Sequence, residues 1–221
     1  MIRCVIFDVD GVLVASGPAH AAAWRLTARK HGVELTDEQF EQTFGLSSRD
    51  IIHTLWGPDL SDQKVAEIDD EKERTYRGLV RGMMPLTIGV RETLARLSAA
   101  GLTLALATSG PPENVEMLFN ETGIGDAFAA VVHGFDVEHG KPAPDCFLLA
   151  AERCNASAAN CAVIEDAPAG IEAAVAAGML PIGLAGTHPA ERLTQAGAKH
   201  VLAALVELTP ELLTRLSAEA P

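Results

Sequence analysis

Asp8 and Asp10 stand one residue apart at the end of an apolar run that holds Ile2, Val5, Ile6 and Phe7. In an extended chain, residues two apart share a face, so this spacing can aim both carboxylates at one target. Phosphate monoesters are a target that needs such a pair, because enzymes accelerate their hydrolysis by up to about 10²¹-fold and several aids must act together. One carboxylate can attack phosphorus and form an aspartyl phosphate, which splits a hard step into two easier ones. Asp8 is the candidate nucleophile. The departing alkoxide needs a proton and the later water must lose one, which a second carboxyl can manage as acid and then base. Asp10 is placed for that role.

Three further clusters fall where strands are expected to end. Glu165 and Asp166 follow Cys161-Ala162-Val163-Ile164, and with Asp8 and the backbone carbonyl of Asp10 they would offer Mg²⁺ an oxygen shell. Asp166 could equally cap the helix entered at Pro168. Thr108 and Ser109 can present a hydroxyl and loop amides to phosphate oxygens, although alone they are ordinary loop residues. Lys141 lies between Gly140 and Pro142 and would supply the positive charge that holds the phosphoryl group. A solitary lysine is usually just solvated; it is the joint occurrence of the four clusters that points to phosphoryl transfer.

The elements that must position these residues can be read from periodicity. β-Branched and aromatic residues before Asp8 predict a buried strand, and Gly11 marks a sharp turn after it. Residues 18–84 carry charge at helical spacing and no strand-like alternation, which predicts several helices. Thr36 with Gln39 resembles a capping box, Ser47 with Asp50 is a weaker start signal, and Ser61 opens a polar helix to about residue 80. From Val90, whose stripe continues through Leu94 and Leu97, helices and strands alternate. Strands are expected at 102–107, 129–133, 161–164 and 180–184, and helices at 112–122, 144–154, 169–177 and from 210. The pattern predicts an α/β fold: a doubly wound, parallel-sheet (Rossmann-like) core, residues 1–15 and 85–221, with a small α-helical cap, residues 16–84, inserted after strand 1.

Composition narrows the partners. The 221 residues carry a formal charge of −13, which argues against nucleic acid, whose phosphates are held by clustered Lys and Arg. An acidic protein that handles an anion must reverse the field locally, and a divalent cation with one or two buried bases would do so. Hydrophobic residues make up 48% and aromatics 5%, which suits helices packed on a parallel sheet. Cys4, Cys146, Cys154 and Cys161 show no CxxC spacing and read as reduced core residues. No charged leader precedes an apolar segment, and the most apolar tract, 171–186, is broken by Gly178, Pro181 and Gly183. A cytoplasmic protein without a membrane partner is expected, and its acidic surface is compatible with a monomer.

In this order and spacing, the stretches 6–13 (Ile-Phe-Asp-Val-Asp-Gly-Val-Leu), 107–110 (Ala-Thr-Ser-Gly), 140–145 (Gly-Lys-Pro-Ala-Pro-Asp) and 164–178 resemble the four signatures of the haloacid dehalogenase superfamily. The helical insertion resembles the cap of its β-phosphoglucomutase-like type. The resemblance implies Asp8 as nucleophile, Asp10 as acid and base, and Mg²⁺ as cofactor. It argues against dehalogenation, since that branch lacks the second carboxylate, and against the phosphonate-cleaving relatives, which typically carry alanine there. Within the cap, His20 and Trp24 fall where that type carries His and Trp, and Ser48-Arg49 resembles its Ser-Arg pair. Lys72 resembles its cap lysine. The resemblance would make Arg49 and Lys72 binders of the substrate's distal anionic or hydroxyl groups, although both lie on polar helices where a solvated face is equally open. The chain departs from the mutases at Ala15 and Ser16, where they have Asp and Thr, and at Thr87-Ile88-Gly89, where Pro-Gly is usual.

The expectation is thus a Mg²⁺-dependent phosphatase acting on a small phosphorylated metabolite, a sugar or polyol phosphate. A hexose-phosphate mutase using the same phospho-Asp8 is the alternative. A non-catalytic regulatory relative is remote, because Asp8, Asp10, Lys141 and Asp166 are all present.

Overall fold

Short runs rich in Val, Ile, Leu and Ala form one parallel sheet in the computed structural model, which describes residues 1–43 and 46–219. The strands are β1 (Cys4–Phe7), β2 (Thr103–Ala107), β3 (Ala130–Val132), β4 (Cys161–Glu165), β5 (Leu180–Leu184) and β6 (His200–Leu202), in the order β3-β2-β1-β4-β5-β6. The register sets Phe7 beside Leu106 on one side and Ile164 on the other. The chain builds outward from β1 to β3, then returns to lay β4 on the other flank of β1. That reversal opens a crevice at the carboxyl ends of β1 and β4, where open α/β sheets bind ligands.

A parallel sheet must be covered on both faces. Val5 and Phe7 point into a core shared with α5 (Val90–Ala99), α6 (Pro112–Thr122) and α10 (Pro210–Ala218). Cys4 and Ile6, one residue out of phase, point into a second core against α7 (Asp145–Arg153) and α8 (Pro168–Ala176). The expected stripe of Val90, Leu94 and Leu97 is buried.

Between β1 and α5 lie α1 (Gly17–Lys30), α2 (Asp37–Thr43), α3 (Ser48–Trp56) and α4 (Asp62–Val80). The start signals act as capping chemistry predicts. Gln39 N donates to Thr36 Oγ1 at 3.2 Å while Thr36 N donates to Gln39 Oε1 at 3.0 Å, and the Ser47 and Ser61 hydroxyls accept from Asp50 N and Lys64 N. These helices share their own apolar cluster, in which Trp24, Ile52 and Ile68 are fully buried. Each such isoleucine contributes about 1.5–3 kcal/mol. The outgoing and returning chains run side by side beneath it: Ala15 N donates to the Pro85 carbonyl at 2.8 Å, and Thr87 N to that of Leu13 at 3.0 Å.

The buried stripe of α4 reads Val65, Ile68, Lys72, Glu73, Tyr76 and Val80. It is apolar at the start and polar at its middle, where it crosses the crevice. Two elements went unpredicted by periodicity. β6 is three residues long with one fully buried side chain, and α9 (Ala190–Gln195) is under two turns, so neither repeats often enough to show a period. No described helix is long and apolar enough to cross a membrane.

Candidate active site

Asp8 follows the last residue of β1, its N–H donating to the Ile164 carbonyl at 3.0 Å, so the strand pairing itself sets the direction of its side chain. Lys141 comes from the turn before α7, closed by Ala143 N donating to the Gly140 carbonyl at 2.9 Å. Its Nζ donates to Asp8 Oδ1 at 2.6 Å and to Glu165 Oε1 at 2.7 Å. All three groups are buried. Burial would strip the charge from Lys141, but the facing carboxylates of Asp8 and Glu165 outweigh it and hold the ammonium well above the usual lysine range.

Glu165 ends β4, and its other oxygen accepts from the amides of Asp166 and Ala167, both at 2.9 Å. Its room depends on Gly170, where a Cβ would stand 1.8 Å from Glu165 Oε1. Gly11 does the same for Asp166: its φ is +84°, and a Cβ there would lie 1.7 Å from Asp166 Oδ2. That oxygen is buried without a hydrogen-bond partner. Burial, with Glu165 and Asp8 close by, pushes the Asp166 carboxyl well above the usual range. Burial likewise pushes Asp8 up to about 8, with Glu165 and Asp10 adding to the rise and Lys141 opposing it.

One oxygen each from Asp8, Glu165 and Asp166 lie within 4.8 Å of one another. Three buried carboxylates facing one buried lysine would, when ionised, leave negative charge uncompensated, and Asp166 Oδ2, beside Gly11, is buried without a hydrogen-bond partner. An all-oxygen, anionic set of this kind fits a hard divalent cation such as Mg²⁺. The Asp10 carboxylate is not one of the trio; it is engaged elsewhere, which leaves its backbone carbonyl as the group it would offer.

Asp10 Oδ1 accepts from Ser16 Oγ at 2.6 Å and is paired with His20 Nε2 at 2.9 Å. Burial works against its charge, yet His20, Ser16 and Lys72 outweigh that and hold its carboxyl at about 2. The His20 ring lies flat on Tyr76, centroids 3.8 Å apart and planes at 6°. Ser16, a departure from the mutase pattern in sequence, thus supplies a hydroxyl to the acid and base candidate.

Thr108 and Ser109 turn the chain at the end of β2. The Thr108 amide donates to Val132 and its hydroxyl accepts from Gly110 N at 3.0 Å, so the loop is tied down beside Asp10. Both residues line the same small cavity as Asp8, Asp10 and Lys141, with a volume of about 70 Å³. Its far wall is helical: Trp24, Ser48, Ile51, Lys72 and Glu73. Lys72 Nζ donates to Glu73 Oε1 at 2.6 Å and sits 5.0 Å from the Trp24 ring centroid. Asn114 on α6 joins core to helices, donating to Glu73 Oε2 at 2.7 Å and accepting from Arg77 at 2.9 Å.

The structure therefore brings Asp8, Asp10, His20, Lys72, Thr108, Ser109, Lys141, Glu165 and Asp166 together around one cavity. It does not bring Arg49. That residue lies in the first turn of α3 with its guanidinium outward, paired with Asp62 at the surface, where both side chains are more than half exposed. Ser47 caps α3 from the preceding position, and the resulting first turn presents Ser48, not Arg49, to the cavity. Glu73, Asn114 and Gly170 were not singled out from sequence, and Ser16 stood out only as a departure from the mutases. Glu73 carried a signal in retrospect, since it continues the buried stripe of α4 beside Lys72.

A family model for haloacid dehalogenase-like hydrolases matches residues 2–178. The β-phosphoglucomutase of Bacillus subtilis is 31% identical over 219 residues, covering 96% of this chain and 94% of that protein. A phosphorylated carbohydrates phosphatase of Thermotoga maritima is 31% identical over 182 residues, 80% of this chain and 82% of its own length. Among solved structures, β-phosphoglucomutase from Clostridium difficile superposes with a TM-score of 0.89 at 26% identity, covering 99% of this chain and 98% of that one. Sequence, sheet order and the helices over the crevice agree, and the chain belongs to the haloacid dehalogenase-like hydrolases, as a cap-bearing enzyme of the β-phosphoglucomutase-like branch that acts on phosphoric monoesters.

Proposed function

We propose that the protein is a Mg²⁺-dependent phosphatase that hydrolyses a small sugar or polyol phosphate through phospho-Asp8. The observation that carries the reading is the convergence of Asp8, Lys141 and the Glu165-Asp166 pair at the ends of β1 and β4, with Asp10 one residue from the nucleophile on the same edge. Asp8, Glu165, Asp166 and the Asp10 carbonyl would hold the cation, which when bound would neutralise charge on the phosphate and the attacking carboxylate.

The residues of the chain then divide the work. Lys141 and the Thr108-Ser109 loop bind the phosphoryl oxygens and orient phosphorus toward Asp8 Oδ. Asp8 attacks as the leaving alkoxide takes one proton held by the Asp10 and His20 pair, delivered through Asp10. Asp10 Oδ1 and His20 Nε2, 2.9 Å apart, give that proton a path to the carboxylate. Once the alcohol departs, ionised Asp10 takes a proton from water, which opens the phospho-Asp8 bond. The helical unit of residues 16–84 acts as the cap that excludes bulk water. All four cysteines are free thiols, in keeping with a cytoplasmic enzyme.

Release of p-nitrophenol from p-nitrophenyl phosphate with Mg²⁺, lost in Asp8→Asn, is the expected result; near wild-type turnover in Asp8→Asn would overturn the reading. A mutase is the second reading, favoured by the similarity to β-phosphoglucomutase along 96% of the chain. Incubation with β-glucose 1-phosphate and a trace of its bisphosphate separates them. Free phosphate marks the hydrolase and glucose 6-phosphate the mutase.

A further inference from the structure

Charge is distributed unevenly along the cavity. At its core end, Lys141 is engaged by Asp8 and Glu165. At its cap end, Lys72 is the cation among the described lining residues, and it is matched by Glu73 at 2.6 Å. His20 is committed to Asp10 and stacked on Tyr76. Arg49, the cation that resemblance assigned to a distal anionic or hydroxyl group, faces away toward Asp62. Asp69, whose carboxyl is raised by burial, is hydrogen-bonded to Ser48 and lies near Lys72 and Glu73, and it adds no cation. The cap end of the site therefore carries no surplus positive charge, and Glu73 is held ionised by Lys72, His20 and Asn114 against its burial.

What remains there is suited to hydroxyl groups. Glu73 offers acceptor oxygens, Lys72 donors, Ser48 both, and Trp24 an aromatic face for a C–H surface. We infer that the cap end of the cavity takes the uncharged, hydroxyl-bearing part of a phosphomonoester and turns away a second phosphate or a carboxylate, with Glu73 as the residue that sets this preference. The inference rests on the phosphatase reading and deepens it, since it names the substrate class. A like charge brought against Glu73, itself buried in the cavity wall, is repelled in surroundings that screen less than bulk water, which favours the neutral partner by on the order of tenfold or more.

The test compares kcat/KM, by phosphate release, for two matched pairs: fructose 1-phosphate against fructose 1,6-bisphosphate, and 2-hydroxyethyl phosphate against 2-phosphoglycolate. The wild-type enzyme is expected to prefer the neutral member of each pair at least about tenfold. Glu73→Gln, which keeps the size and one acceptor oxygen but leaves Lys72 unmatched, is expected to shrink that ratio about tenfold, chiefly through a lower KM for the charged member. Equal use of both members by the wild type, or an unchanged ratio in Glu73→Gln, would overturn the inference while leaving the phosphatase reading intact. If no ester is turned over, p-nitrophenyl phosphate included, that reading falls and the inference with it. The wild-type comparison decides the matter even where Glu73→Gln does not fold.

Discussion

Asp10, on the core, is joined through Oδ1 to Nε2 of His20, on the first cap helix, at 2.9 Å. The proposed acid and base is thus completed by a residue that arrives only with the cap. His20 is also the first of the groups that pull Asp10 down to about 2 against its burial.

Removing that partner should therefore raise the Asp10 carboxyl toward its ordinary value. In His20→Gln, the acidic limb of the kcat profile is expected to move to higher pH. The ionised carboxylate that accepts a proton from water is then lost earlier as pH falls. An unshifted limb would separate His20 from this role. Asp10→Asn is expected to cost about 10² to 10⁴ in rate with a poor alkoxide leaving group and less with p-nitrophenyl phosphate.

Metal and protons should compete at Asp8 and Asp166. Both carboxyls are raised in the folded protein, Asp8 from 3.8 to about 8. A raised carboxyl stabilises the fold only while protonated, so without metal stability should decline as pH rises from about 4 through 8. A cation needs the ionised forms, so its binding releases protons and tightens over the same window. The rise in Tm on adding Mg²⁺ should be larger at pH 8 than at pH 6, and equal rises would contradict the assignment. Chelation by EDTA should abolish turnover.

Arg49 and Lys72, which sequence resemblance grouped together, should part in experiment. Lys72 is buried on the cavity wall, whereas Arg49 is an exposed partner of Asp62, a kind of pair that contributes about 0.2–1 kcal/mol. Arg49→Ala should leave kcat/KM within about threefold of wild type, an effect under about 1 kcal/mol. Lys72→Ala should lower it tenfold or more, about 1.4 kcal/mol or above. Equal losses in the two variants would show that Arg49 reaches the substrate.

This pair marks where sequence stopped being informative. The carboxyl edge of β1 was legible because Ile6 and Phe7 leave no choice but burial, and the DxD spacing then follows the strand period. The helix starts of the cap were legible because Thr36, Ser47 and Ser61 cap by local hydrogen bonds. Which way Arg49 points depends on how α3 rolls against α4, a matter of packing between Ile51, Ile52, Val65 and Ile68 that no local pattern encodes. The roles of Ser16 and Asn114 follow from partners six and 41 residues away, which no helix or strand period links to them.

Gly11 should tolerate no side chain. Gly11→Ala would place a Cβ 1.7 Å from Asp166 Oδ2 and force a left-handed backbone worth about 1–2 kcal/mol. The expected outcome is a folded protein with a lowered Tm and Mg²⁺ affinity weakened about tenfold or more, within the range seen when supports of a metal site are altered. Unchanged Mg²⁺ affinity by calorimetry would show that Asp166 is not held for a cation.

The central claim is that phosphorus becomes bonded to Asp8. Rapid quench of enzyme mixed with a phosphomonoester and Mg²⁺, reduction of any acyl phosphate with borohydride, and peptide mass spectrometry test it directly. Homoserine at position 8, and none in Asp10→Asn treated without substrate, is the predicted result. An unmodified Asp8 during steady turnover, or homoserine at position 10 or 166 in its place, would contradict the account.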